Sequence, residues 1–107
     1  MFESFKRAFG SGTRPHGWSV DISENGREGS VVYHDHEGSL TFYWEFGGGD
    51  VLATIGVGTG AEWSRKHPWA AARRTEILQR VASELIRQKA PTSRAEIDDL
   101  RGFINLR

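Results

Sequence analysis

Apolar and polar side chains alternate from Trp18, with Ser19 and Asp21 separating Trp18, Val20 and Ile22, which is the period-2 signature of a half-buried strand. Asn25-Gly26 follows, a pair suited to a type I′ hairpin turn because both residues tolerate positive φ. With those two as the loop, Ile22 faces Gly29, Val20 faces Val31 and Trp18 faces Tyr33. A second turn at Glu37-Gly38 sets Tyr33 against Phe42 and Val31 against Trp44. A third at Gly48-Gly49 sets Phe46 against Val51, Trp44 against Ala53 and Phe42 against Ile55. All three turns assign the same residues to one face, and a one-residue slip at any of them would invert a strand. Residues 16–57 are therefore expected to form a four-stranded antiparallel β-meander. Its core face carries Trp18, Val20, Ile22, Val31, Tyr33, Leu40, Phe42, Trp44, Phe46, Val51, Ala53, Ile55 and Val57. The opposite face is mostly polar, with Val32, Tyr43 and Leu52 in its middle and His34 and Glu45 around them.

The period then changes. Gly56, Gly58 and Gly60 break the strand pattern, and from Pro68 to Lys89 the residues Ala71, Ile77, Leu78, Val81, Ala82, Leu85 and Ile86 recur at helical steps. This predicts one long helix over 68–89, with proline in its first turn and an apolar stripe to lay on the sheet. Pro91 ends it, and the two short apolar runs at Ala95 to Asp98 and Phe103 to Leu106, around Gly102, predict a terminal hairpin over 94–107. Upstream, Phe2, Phe5 and Phe9 form one helical stripe, so a short N-terminal helix and linker are expected over 1–15. The predicted class is α+β, a two-layer sandwich of sheet and helix.

With 107 residues, the chain has the size of a single domain, 1–107. Fourteen Lys and Arg balance fourteen Asp and Glu, so the long-range field of a nucleic-acid binder is missing. No cysteine is present, which excludes disulfides, thiolate catalysis and Cys-ligated metal sites. No signal-like or membrane-spanning apolar run is seen, and a cytoplasmic setting is expected.

Few residues carry chemistry. His34 and His36 would share a strand face, as two metal ligands must, with Asp21 and Glu45 the acids on that face and Glu45 set too far along its strand, and solvent-facing imidazoles with no metal are preferred. Gly47-Gly48-Gly49 lacks the following helix and lysine of a phosphate loop, and the glycines at 56, 58 and 60 do not complete a dinucleotide motif. No nucleophile stands in an elbow such as Gly-x-Ser-x-Gly, so catalysis has little support, and no cofactor is expected.

Two readings of function follow. The first is a protein-interaction module, a homodimer or an adaptor of the toxin-neutralising kind, using Val32, His34, Tyr43, Glu45 and Leu52. The alternative is a small-anion or nucleotide-type ligand binder, or an enzyme. It would use the basic, aromatic stretch Trp63, Arg65, His67 and Trp69, placed by Pro68 at the start of a helix where N–H groups favour anions. Nucleic-acid binding through Arg73, Arg74, Arg80 and Arg87 is disfavoured because Glu76 and Glu84 interrupt that surface.

Overall fold

A computed structural model describes residues 17–107. The expected N-terminal helix and linker over 1–15 lie outside the described residues. Four strands come first, β1 (Trp18–Asn25), β2 (Glu28–Asp35), β3 (Gly38–Phe46) and β4 (Ala53–Gly56). A helical stretch follows, made of α1 (Gly60–Lys66), a 3₁₀ segment (Pro68–Arg73) and α2 (Arg74–Lys89), and the chain ends in β5 (Ala95–Asp98) and β6 (Phe103–Leu106). The fold is α+β, with one antiparallel sheet and one long helix.

The sheet has six strands, in the order β1-β2-β3-β4-β6-β5, so the expected four-stranded meander is not the whole sheet: the terminal hairpin, whose place the sequence leaves open, extends it beyond β4. The terminal hairpin joins because β6 carries Ile104 and Leu106, which are buried only when β6 lies beside β4. Backbone bonds fix it there: the Leu52 N–H donates to the Leu106 carbonyl, and the N–H groups of Val57 and Gly58 donate to the Gly102 carbonyl.

Every meander register differs from expectation by two residues, so each strand keeps its faces. Ile22 pairs with Val31 and Val20 with Tyr33, Val31 pairs with Phe42, and Trp44 pairs with Ile55. At the first hairpin Asn25 pairs with Glu28, leaving Gly26, at φ 70°, and Arg27 as the loop. At the second, Asp35 pairs with Gly38. The Asp35 carboxylate accepts from the N–H groups of Glu37 and Gly38 at 2.8 and 3.2 Å, drawing the loop back to His36 and Glu37. The third connection is longer than two residues, closed by the Gly47 N–H to the Leu52 carbonyl and the Val51 N–H to the Gly48 carbonyl.

The long helix starts later than Pro68. Residues 68–73 are 3₁₀ with no side-chain cap, and the indole N–H of Trp63 donates at 2.9 Å to the Ala70 carbonyl. A continuous α-helix would present that carbonyl to the residue-74 N–H. The preceding α1, unexpected as a helix, starts at a capping box in which Thr59 and Glu62 bond reciprocally. Val20, Val31, Tyr33, Phe42, Ile55, Ile104 and Leu106 of the sheet pack against Trp63, Ile77, Leu78, Val81 and Leu85 of the helical layer, and among the described residues no element covers the other sheet face.

Candidate functional site

Cross-strand registry builds the open face row by row. One row runs Ser30, Tyr43, Gly56, Phe103 and Asp98 across β2, β3, β4, β6 and β5. Tyr43 is 71% exposed and Phe103 is exposed as well. Between them Gly56 offers no side chain, and a Cβ built there would come no nearer than 3.9 Å to the Phe103 ring. The result is a slot with a glycine floor and two aromatic walls, part of a groove of about 580 Å³.

The neighbouring row brings Glu28, Glu45, Thr54, Asn105 and Glu96 into line. Thr54 donates to the Asn105 side chain at 3.2 Å, and Glu96 pairs with Arg107, whose guanidinium holds the Glu96 carboxyl below its ordinary value. Glu28 and Glu45 also line the groove. They stand directly opposite each other, and neither makes an ion pair or side-chain hydrogen bond among the described residues.

The expected patch is only partly assembled. Val32 pairs with Thr41 and so lies one row from Tyr43 on the neighbouring strand. His34 is engaged, its Nδ1 2.9 Å from Ser39 Oγ and its Nε2 3.1 Å from Asp21. Leu52 precedes β4 and lines a different, apolar groove of about 250 Å³ with Ile22, Trp44, Phe46 and Leu85, because the two-residue register shift gives its expected place beside Glu45 to Thr54. Sequence reasoning missed Gly56, Phe103 and Glu28. Phe103 is a neighbour of Tyr43 only through the added strand β6.

The residues from Trp63 to Trp69 are divided between core and surface. Trp63 is 1% exposed and stacks on Phe42 at 5.7 Å. His67 packs edge-on against Trp63 at 5.4 Å, and burial, with Lys66 nearby, pushes its imidazole below the ordinary value. Trp69 covers the β2–β3 turn, where a Cβ on Gly38 would lie 2.9 Å from its ring. Arg65 and Lys66 are exposed.

A second charged cluster was not foreseen. Asp35 shares the core face with Val31 and Tyr33, and its side chain is 1% exposed. Tyr33 donates to Asp35 Oδ2 at 2.8 Å, Arg80 donates to the Tyr33 oxygen at 2.7 Å, and Arg73 reaches Asp35 at 3.0 Å. Glu76 bridges Arg73 and Arg80, and Glu37 closes on Arg73. Burial pushes the Asp35 carboxyl up, but bonds from the Glu37 N–H, Tyr33 and Arg73 outweigh it and hold the group below its ordinary value. Burial, then the bond to Asp35, raises the Tyr33 hydroxyl. Every member has a partner, so the cluster clamps helix to sheet and has no free base to offer chemistry. The available signal was an acid at a core-face position, in register with Val31 and Tyr33.

No protein-family model matches the chain, and neither a curated protein nor a solved structure is significantly similar to it. Among the described residues, no group of three or more His, Asp or Glu is arranged to hold a metal ion. No helix among them is long and apolar enough to cross a membrane.

Proposed function

We propose that the chain is a protein-interaction module that docks its partner on the open face of the sheet. The observation that carries this reading is the row Tyr43, Gly56, Phe103, where two exposed aromatic side chains flank a groove floor that a single Cβ would begin to fill. Aromatic side chains around a desolvatable pocket are the usual anchors of protein interfaces. A binding role also fits the polar cluster at the other end of β2, where each charge is already paired. A cytoplasmic setting suits a chain whose stability uses no disulfide.

The test places a photo-crosslinking amino acid at position 43, and separately at the exposed Ser83 of α2, in the cells that make the protein. A discrete adduct at 43 that is absent at 83 is expected. No adduct at 43, or the same adducts at both positions, overturns the reading. An adduct of twice the chain's own mass identifies the partner as a second copy.

A further inference from the structure

The open face carries a chemical bias that narrows its partner. Its acids are Asp21, Glu28, Glu45, Glu96 and Asp98, and some have side-chain partners: Asp21 lies 3.1 Å from the His34 ring, Glu96 pairs with Arg107 and Arg94, and Asp98 with Arg101. Glu28 and Glu45 remain, facing each other across β2 and β3 on the groove wall. Side chains so paired have Cβ atoms about 4.5–5.5 Å apart, and like charges at that distance destabilise a sheet. Arg27, on the adjoining turn, is exposed and makes no ion pair with either. The fold therefore holds two uncompensated carboxylates next to an aromatic slot, although the whole chain has a net charge of zero.

We infer that this face recognises a basic segment of a partner protein, with one arginine side chain lying over Gly56 between Tyr43 and Phe103 and its guanidinium set against Glu28 and Glu45. The inference rests on the docking role proposed for this face. Glu45 stands one strand and one row from Gly56, and Glu28 one strand further. With strands about 4.8 Å apart and rows about 6.5–7 Å apart, the backbone positions lie about 8 Å and about 12 Å from the slot floor, distances that an arginine stem lying in the slot and the two glutamate side chains reaching toward it close together. A guanidinium answers both halves of the site, stacking on an aromatic face while donating in fork geometry to carboxylates. The same charge pattern argues against a second copy docking by a twofold, because an isologous contact would bring the two acidic faces together. It also repels phosphate backbones.

The experiment titrates the isotope-labelled full chain with hexa-arginine, hexa-glutamate and free arginine, following backbone amide shifts at two salt concentrations. Hexa-arginine is expected to move residues 28, 43–45, 54, 56 and 103 and to weaken with salt, while hexa-glutamate leaves them in place. The double variant Glu28→Gln/Glu45→Gln, which removes no internal partner, should bind hexa-arginine about tenfold more weakly. Gly56→Val, which fills the slot and suits a strand, should weaken it comparably. The inference is overturned if hexa-arginine does not bind, if its shifts centre elsewhere, if the double variant binds equally, or if free arginine binds as tightly as the peptide. A discrete crosslink at position 43 alongside any of these failures overturns the basic-partner chemistry and leaves the docking role standing. Loss of both removes the two together.

Discussion

Two clusters of charge and aromatic rings sit on the same sheet and have been handled in opposite ways. Around Asp35 the acids are Asp35, Glu37 and Glu76, the cations Arg73 and Arg80, and the ring Tyr33, and each polar head has a partner. Around Gly56 the acids Glu28 and Glu45 face each other with no cation between them, and the rings of Tyr43 and Phe103 stand in solvent. A buried charge must be satisfied within the fold or the fold loses several kcal/mol. An exposed charge carries no such requirement, so leaving two like charges opposed and two aromatics bare is an arrangement that folding alone does not ask for. Mutation should therefore separate the clusters cleanly, through stability at the first and through binding at the second.

The largest effect is expected at Asp35. Asp35→Asn keeps the shape but removes the charge that faces Arg73, and it weakens the acceptor for Tyr33 and for the β2–β3 turn. Arg73 retains Glu37 and Glu76, so the loss should fall near the lower end of that for a broken buried pair, about 3 kcal/mol, measured by urea unfolding. The pH dependence supplies a second reading. Because the folded Asp35 carboxyl titrates below its ordinary value, its contribution is present above about pH 4 and is lost as pH falls through the folded value. Tyr33 shifts the other way: its contribution is complete below about pH 10 and is lost as pH rises through the raised value. In Asp35→Asn the acid loss of stability should flatten; an unchanged acid limb would remove Asp35 from the structural role given to it here.

The two clusters were not equally legible in the sequence. Parity along the strands is carried by side chains alone, so both faces of the meander could be read from the alternation. Register is not carried that way, since a shift of two residues leaves every face intact. The expected pairing of Val20 with Val31 thus gives way to Val20 with Tyr33 without moving either residue off the core face. What decided the second hairpin was the Asp35 carboxylate binding two backbone N–H groups, which is a property of one side chain and not of the pattern. Asp35 was nonetheless a readable anomaly, an acid in step with Val31 and Tyr33. Its partner Arg73, and Arg80, which bonds Tyr33, come from the helical layer, and nothing in the helical period says which residue of the sheet they meet. Thr59 and Glu62 stand at capping-box spacing, which marks the start of α1, a signal carried by two polar residues and independent of the apolar period. At the open face Tyr43 and Glu45 were identifiable from one strand, whereas Phe103 and Glu28 become their neighbours only through the position of β6 and the two-residue shift of β2 against β3.

A smaller effect on stability is expected at the rings of the groove. Tyr43 is 71% exposed, so Tyr43→Ala should change unfolding free energy by no more than about 0.5 kcal/mol. The same variant should abolish binding of the partner captured at that position. A loss of stability approaching that of Asp35→Asn would mean that Tyr43 belongs to the structural cluster after all, and the contrast between the two regions would fail.

The smallest effect has the opposite sign. Glu45→Gln removes one of two like charges that face each other across β2 and β3, neither of which is compensated by a cation. The variant should unfold at a slightly higher denaturant concentration, with a gain of a few tenths of a kcal/mol, about the size of a cross-strand charge pair at the surface. Raising the salt concentration should shrink that gain, because exposed charges are screened over about 10 Å at 0.1 M. The second substitution, Glu28→Gln added to Glu45→Gln, should then bring little further gain, since the repulsion it would relieve is already gone. If Glu45→Gln instead destabilises the protein by as much as a broken ion pair, that carboxylate is a structural partner and not a free one. The groove would then lose the feature that sets it apart from the network around Asp35.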